Sequence, residues 1–241
     1  MPRFYCPIPL AVGAAVALPE HIAHHIHVLR LTPGEHITLF NGEGGEYTAV
    51  LAGLDRRRAQ AEVKAFSPRE AELPYAVTLA QALPEGTKMD WIVEKAVELG
   101  ASAIQPLAAR RCVVRLSAER AGKKQEHWQA VMASAAEQCG RNRLPHLAPP
   151  ADFGTWIGQS CLHQRILFSP RAERSLAEWA RHHPPRAIAL LVGPEGGFSD
   201  EEEDGAVARG AIALSLGARV LRTETAGLAA LAVLNGAWGE M

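Results

Sequence analysis

Short apolar runs that end at glycines set the pattern of the second half of the chain. Residues 187–192 are all apolar, and Gly193-Pro-Glu-Gly-Gly197 follows them directly. Such an unbroken run is typical of a strand covered on both faces of a parallel sheet, although a buried helix segment has the same pattern. The flanking glycines favour the strand. A similar run at 211–216 ends at Gly217, and residues 112–116 predict a further short strand.

Capping signals predict the helices that follow these loops. Ser199, with Glu202 three residues later, has the spacing of a capping box, in which each side chain bonds the other residue's backbone N–H. Thr87 and Asp90 have the same spacing ahead of an amphipathic stripe that ends at Gly100. Strands and helices therefore alternate, which predicts an α/β fold with a mainly parallel sheet.

The first part of the chain has shorter strands joined by turns. Residues 36–40 and 47–51 flank Asn41-Gly-Glu-Gly-Gly45, which predicts a strand, a glycine-rich turn and a return strand. Asp55-Arg-Arg-Arg58 predicts the next turn, and residues 59–66 alternate as a further half-buried strand. These segments predict a compact β-barrel.

A linker separates the two patterns. Residues 66–75 contain two prolines and alternating charges between two regular segments. We therefore place the domain boundary near Glu72. Residues 1–72 are predicted to form a small β domain, and residues 73–241 are predicted to form the α/β domain.

The two glycine-ended strands predict a ligand pocket. In open α/β sheets, ligands bind outside the carboxyl ends of the strands, so the loops at 193–197 and 216–226 are expected to form one site. Neither a Gly-Lys-Ser/Thr sequence nor G-x-G-x-x-G spacing is present, which disfavours a phosphate or dinucleotide loop. Glycines that serve only a tight turn explain the pattern equally well.

Composition excludes several classes of protein. The 241 residues are 48% hydrophobic, which is ample for buried cores. The four cysteines lie far apart and form no Cys-x-x-Cys pair, which argues against a zinc ribbon or a disulfide framework and favours a reducing cytoplasm. No apolar stretch approaches the roughly 18 residues of a membrane span, and the first residues lack a signal-peptide pattern.

Basic residues concentrate in one segment although the formal net charge is only −1. Between Arg110 and Pro145 there are eight basic residues and three acidic ones. Such a segment either contacts phosphates or forms a solvated face, and charge alone leaves both interpretations open.

Four histidines occur between positions 21 and 27. His21 and His25 have the spacing of two metal ligands on one helix face, but nothing nearby completes a set of ligands. We therefore predict no metal site there and expect surface or capping roles.

Four longer segments carry a specific combination of motifs. They are Lys88–Gly100 (KMDWIVEKAVELG), Glu137–Arg143 (EQCGRNR), Gly193–Ser199 (GPEGGFS) and Leu216–Ala226 (LGARVLRTETA). Together with His24-His-x-x-Val-Leu-Arg30, they resemble the bacterial 16S rRNA uridine N3-methyltransferases over nearly the whole chain. This resemblance implies a SPOUT-class α/β methyltransferase domain with a trefoil knot, preceded by a PUA-like RNA-binding β-barrel.

The resemblance also implies S-adenosylmethionine as the cofactor and uridine N3 in the decoding region of 16S rRNA as the methyl acceptor. The residues expected at the cofactor are Leu83, Gly193, Glu195, Gly196, Gly197, Leu216, Gly217, Val220, Leu221, Thr225 and Ala226. Because uridine N3 carries a proton, we expect Arg222 to stabilise the negative charge that develops on the ring. Glu224, Glu195 or water accepts that proton, and the sequence does not choose among them.

Expected RNA contacts follow from the resemblance and from charge. They are His25, Arg30, Arg110, Arg111, Arg115, Arg141 and Arg143. Arg141 and Arg143 follow the end of a predicted helix, so we expect that turn to be exposed. The resemblance further implies a cytoplasmic homodimer that acts on the small ribosomal subunit. Two alternatives stay open, namely a SPOUT enzyme that methylates ribose 2'-O and a non-catalytic rRNA assembly factor.

Overall fold

The computed structural model describes residues 1–55 and 58–239 and divides into two compact units. One unit contains Met1–Glu72 and Ala133–Leu144, and the other contains Leu73–Met132 and Pro145–Met241. The short segment 133–144 thus clusters with the N-terminal residues. The turn predicted at residues 55–58 includes Arg56 and Arg57, which lie outside the described residues.

The N-terminal unit is built on a five-stranded sheet with the order β1-β3-β4-β5-β2. Its elements are β1 (Arg3–Tyr5), β2 (Ala15–Leu18), α1 (Glu20–Val28), β3 (His36–Phe40), β4 (Glu46–Leu54) and β5 (Ala59–Ser67). Strands β3 and β4 pair in the antiparallel sense, with His36 opposite Val50, which confirms the predicted hairpin. Alternate residues of β5 point into a core that Ile22 and Ile26 of α1 cover.

The second unit is an α/β domain with a parallel sheet. Its strands are β6 (Val77–Ala82), β7 (Ala103–Ala108), β8 (His146–Leu147), β9 (Ala151–Asp152), β10 (Gln164–Phe168), β11 (Ile188–Val192) and β12 (Ile212–Leu214). Its helices are α2 (Lys88–Glu98), α3 (Ala118–Cys139, whose last residues belong to the first unit), α4 (Phe153–Gly158), α5 (Leu176–Arg181), α6 (Asp200–Val207) and α7 (Thr223–Trp238). Among the described residues, no helix is long and apolar enough to cross a membrane.

The strand order β12-β10-β11-β6-β7-β8 places the first strand of this unit, β6, inside the sheet. The chain leaves β6 toward β7 and later returns to its other side, where β11 lies between β6 and β10. Ligand crevices in such sheets form where the strand order reverses. Because these strands run in parallel, the loops after β10, β11 and β12 open at one edge.

Helix α7 packs closely on this sheet. A Cβ atom built on Gly227 would lie 2.9 Å from Cδ1 of Leu79 in β6 and 3.5 Å from Cγ2 of Val192 in β11. Glycine at this position therefore lets the helix backbone approach the sheet. The start of α7 is thereby fixed beside the carboxyl ends of β6 and β11.

Two expectations for local structure were wrong. Residues 112–116 are irregular rather than a strand, and Val113 is largely exposed, so the segment lacks a continuous apolar face. Thr87 makes no side-chain cap bond in the described structure, whereas the capping box of Ser199 and Glu202 is present. The carboxylate of Asp90 contacts residues of α3 instead.

Asp90 connects α2 to α3. One carboxylate oxygen accepts a hydrogen bond from Nε1 of the buried Trp128 at 3.0 Å, and the other lies 2.9 Å from Nε2 of His127. The indole N–H of a buried tryptophan needs an acceptor, so this tertiary bond replaces the expected cap.

Replacing Asp90 by alanine should destabilise the protein. Removal of the carboxylate leaves the Trp128 N–H buried without its acceptor, which costs about 1–3 kcal/mol in the free energy of unfolding. Urea denaturation measures the change, with Glu94→Ala, a partly exposed position on the same helix, as the matched control. Equal effects of the two substitutions would contradict the role assigned to Asp90.

Candidate active site

The loops after β10, β11 and β12 enclose a cavity of about 570 Å³. The described residues that line it are Arg111, Phe168, Ser169, Pro170, Arg171, Val192–Phe198, Asp200, Glu203, Leu216, Gly217, Arg219–Glu224 and Ala226. This volume is in the usual range for small-molecule sites. The two loops predicted from glycines thus meet in one cavity. The wall after β10 was missed, because Ser169-Pro-Arg carries no glycine signal.

Most residues predicted to bind the cofactor lie in this wall. They are Gly193, Glu195, Gly196, Gly197, Leu216, Gly217, Val220, Leu221 and Ala226. Leu83 and Thr225 are outside the described lining. Leu83 is buried, and its N–H bonds the carbonyl of Leu107 at 2.9 Å, whereas Thr225 is exposed on α7.

The glycine loop at 193–197 is a tight turn that leaves little room for side chains. The Gly197 N–H donates to the carbonyl of Pro194 at 2.9 Å, and Gly197 has a positive φ of 67°. A Cβ on Gly193 would lie 2.9 Å from the backbone N of Phe198 and 3.0 Å from Gly197. Backbone atoms cannot move aside as a side-chain end does, so Gly193 must be glycine to keep this turn.

Side chains from three segments hold the loop. The hydroxyl of Thr223, in the first turn of α7, donates to the carbonyl of Gly193 at 2.6 Å and accepts from Nε2 of Gln81 in β6 at 2.9 Å. Arg111 donates from Nη1 to the carbonyls of Gly196 and Phe198 at 2.9 and 3.0 Å. Sequence reasoning did not assign Gln81 or Thr223 to the site, since these two residues are 142 positions apart in the chain.

Glu195 is paired within the cavity. Its Oε1 accepts from Nζ of Lys88 at 2.5 Å and from the N–H of Glu85 at 3.1 Å. Burial acts to raise the pKa of Glu195, but the bond from Lys88 and the backbone N–H groups outweigh it and lower the pKa below its ordinary value. The pKa of Lys88 is raised chiefly by the same bond. Both partners are therefore ionised at neutral pH.

Arg222 and Glu224 lie at the start of α7. Arg222 is the exposed N-cap residue, and Glu224 is in the first turn. The Oε2 atom of Glu224 is buried and has no hydrogen-bond partner within residues 1–55 and 58–239. A guanidinium group and an unpaired carboxylate thus flank Thr223, which anchors the glycine loop.

The predicted RNA contacts of the second unit are exposed. Arg110 pairs with Glu201, and its backbone N–H donates to Oε1 of Glu202 at 2.7 Å. Arg115 is exposed after this turn. Arg111 belongs to the cavity wall through its bonds to the glycine loop, and RNA contact by any of the three arginines stays a prediction.

The predicted RNA contacts of the first unit have different environments. His25 packs edge-on against Phe4 with ring centroids 5.3 Å apart, and its Nδ1 is 3.9 Å from a carboxylate oxygen of Glu137. Arg30 is exposed at the end of α1 and has a positive φ of 58°. Within the described ranges, no group of three or more His, Cys, Asp or Glu side chains is arranged to hold a metal ion.

The expectation that Arg141 is exposed was wrong. Arg141 is only 3% exposed, and its Nε and Nη2 donate to the two carboxylate oxygens of Glu72 at 3.0 and 2.5 Å. Asn142 is fully buried and donates to the carbonyl of Arg69 at 2.6 Å. Arg143, in contrast, keeps about half of its side chain exposed near Glu70. Arg141 therefore fixes the turn within its unit, and a phosphate cannot reach it.

Family models match both parts of the chain. A model described as an RNA methyltransferase domain matches residues 71–235, and one described as an RNA methyltransferase PUA domain matches residues 18–64. The second unit is thus an RNA methyltransferase domain. These matches confirm the predicted fold class as far as an α/β RNA methyltransferase domain with a PUA-like N-terminal domain.

Similar proteins define the family more closely. Ribosomal RNA small subunit methyltransferase E of Bacillus subtilis is 32% identical over 90% of this chain and 87% of its own length, and that of Synechocystis is 36% identical over 93% and 74%. The crystal structure of the Neisseria gonorrhoeae methyltransferase E, bound to S-adenosyl methionine, is 42% identical, with a TM-score of 0.94 over 99% of this chain and 98% of the other. A Legionella pneumophila methyltransferase in complex with the same cofactor is 36% identical, with a TM-score of 0.92 over 98% and 97%. The chain belongs to the ribosomal RNA small subunit methyltransferase E family.

Arg141→Ala should destabilise the protein far more than Arg143→Ala. The first substitution leaves the Glu72 carboxylate without its buried partner and costs about 3 kcal/mol or more. The second removes an exposed charge and costs at most about 1 kcal/mol. Denaturant unfolding of both variants tests this difference. Equal losses of stability would show that Arg141 is not the structural member of the pair.

Proposed function

We propose that the protein transfers the methyl group of S-adenosylmethionine to N3 of a uridine in 16S rRNA of the small ribosomal subunit. The observation that carries the proposal is the cavity itself. In a chain of the methyltransferase E family, it combines a glycine loop with a cation and with a carboxylate at the start of α7 whose Oε2 has no hydrogen-bond partner among the described residues. Two similar proteins of at least 36% identity contain S-adenosylmethionine in their solved structures.

The residues present fit this cofactor. Gly193 has no space for a Cβ because its own loop turns back on it. At Gly197 a Cβ would meet no atom within 4 Å, so the backbone there is open to a closely approaching ligand. Leu216, Val220 and Leu221 supply apolar surface for an adenine ring, and Val220 is 81% exposed and free to cover one. When bound, the cofactor supplies a methyl group on a cationic sulfur.

Arg222 is proposed to assist the reaction electrostatically. N3 of uridine carries a proton, and the ring becomes negatively charged at its carbonyl oxygens as that proton leaves. An exposed guanidinium at the cavity wall is suited to stabilise this charge. The base must also leave its stack to reach the cavity, so we expect the target uridine to flip out.

We also propose a cytoplasmic homodimer in which the N-terminal domain, residues 1–72, and the basic segment after β7 contact the rRNA, while residues 73–241 carry out methyl transfer. Helix α7 is rich in apolar residues, but these residues do not by themselves make it the dimer interface. Leu228, Leu231 and Leu234 are buried within their own unit, and Trp238 donates to the carbonyls of Ala180 and His183. Sedimentation analysis at several protein concentrations tests the oligomeric state.

Gly193→Ala should weaken cofactor binding. The new methyl group meets backbone atoms at about 3 Å, and the strain of about 1–3 kcal/mol corresponds to a loss of affinity of roughly tenfold or more. Isothermal titration calorimetry with S-adenosylmethionine measures the loss. Gly122→Ala on α3, where a Cβ meets nothing within 4 Å, is the control. Unchanged affinity in Gly193→Ala would exclude the glycine loop as the cofactor cradle.

Nucleoside mapping tests the reaction itself. Small subunits that lack the modification are incubated with the protein and S-adenosylmethionine, and their nucleosides are identified by mass spectrometry. We expect one new N3-methyluridine, formed about 100-fold more slowly by Arg222→Ala, with Arg186→Ala, an exposed arginine outside the cavity wall, as the control. A methyl group on ribose would overturn the proposed acceptor. Bound rRNA without any methylation would leave an assembly factor.

A further inference from the structure

Two glutamates of the cavity wall are candidates to accept the N3 proton, and their surroundings differ. Glu195 already receives hydrogen bonds from the Lys88 ammonium group and from the backbone N–H of Glu85. Each of these bonds is strongest when Glu195 is a carboxylate, so protonation would weaken them. Glu195 is therefore a poor acceptor for a further proton.

Glu224 has no such donors. Its Oε2 is buried without a hydrogen-bond partner in the part of the chain that the structure describes, although Glu224 belongs to the cavity wall. A buried oxygen without a hydrogen-bond partner is destabilising, and such groups recur at functional sites, where a ligand supplies the missing partner. No donor among the described residues therefore competes with a ligand for this carboxylate.

Charged groups and the start of a helix lie close to Glu224. The residue lies in the first turn of α7, where the helix dipole favours a negative charge. The Lys88 ammonium group interacts with it, since the charge of Glu224 adds to the effect of Glu195 in raising the pKa of Lys88. Arg222, two residues earlier, belongs to the same wall.

We propose that the carboxylate of Glu224, and not that of Glu195, accepts the proton from uracil N3 during methyl transfer. The inference rests on the proposed function. The N3–H bond breaks and its proton passes to the Glu224 carboxylate, while the N3 electron pair forms the new bond to the methyl carbon. The carbon–sulfur bond breaks with its electron pair remaining on sulfur, and Glu224 later releases the proton to water.

The test compares Glu224→Gln with the wild-type protein under single-turnover conditions on unmodified small subunits. The amide keeps the size of the side chain but cannot take the proton, so the rate at neutral pH should fall about 100-fold or more. The affinity for S-adenosylmethionine, measured by calorimetry, should stay within about threefold of wild type. Glu178→Gln, an exposed position on α5, is the matched control.

The pH dependence distinguishes a proton acceptor from a structural residue. At alkaline pH, uracil loses the N3 proton without help, so the deficit of Glu224→Gln should shrink steadily as the pH rises. Glu224→Asp, which keeps a carboxylate, should recover part of the rate. A deficit that is constant with pH, or one explained by weaker cofactor binding, would overturn the inference. So would a larger pH-dependent deficit in Glu195→Gln. Failure of the proposed function itself is distinct, because the wild-type protein would then form no N3-methyluridine.

Discussion

The hydroxyl group of Thr223 connects the main parts of the active-site wall. It donates to the carbonyl of Gly193 in the glycine loop and accepts from the amide of Gln81 at the end of β6. Both side chains are buried, so water is not positioned to replace these bonds. Because Thr223 is the first residue of α7, the same bonds fix where Arg222 and Glu224 lie relative to the loop. The positions of these cavity-lining residues therefore depend on one short, buried network of polar side chains.

The parallel sheet brings this network and the cavity to the same edge. Strand β11 lies between β10 and β6, so the loops after β10 and β11 are neighbours, and the chain after β12 closes the remaining side. Several charges in the wall are already engaged. Arg171 pairs with Asp200 and Glu203, while Glu195 pairs with Lys88. At the start of α7, in contrast, Arg222 and Glu224 form no ion pair within the part of the chain that the structure describes.

Motifs of residues close together in the sequence predicted much of this arrangement. The features that they did not predict depend on contacts between residues far apart in the sequence. The capping box at Ser199 formed because its two partners are three residues apart, whereas Asp90 found a better partner in Trp128, 38 residues away. Arg141 was expected to be exposed because it follows a helix, but Glu72, 69 residues earlier, accepts its guanidinium. Glycines revealed two walls of the cavity. The wall after β10 and the roles of Gln81 and Thr223 depend on tertiary contacts that no local pattern encodes.

Two carboxylates of the same residue type acquire different properties in one cavity. In enzymes generally, two carboxylates in different environments take different acid–base roles. Hydrogen bonds to the charged form of one carboxylate make it a weaker base. In this protein, the backbone places the two glutamates in different environments. The turn at Gly193–Gly197 places Glu195 beside Lys88 and the N–H of Glu85, while the helix that begins at Thr223 buries an oxygen of Glu224 away from hydrogen-bond donors of the described chain. Because the Thr223–Gly193 bond joins these two segments, the glycine loop fixes the positions of both acids.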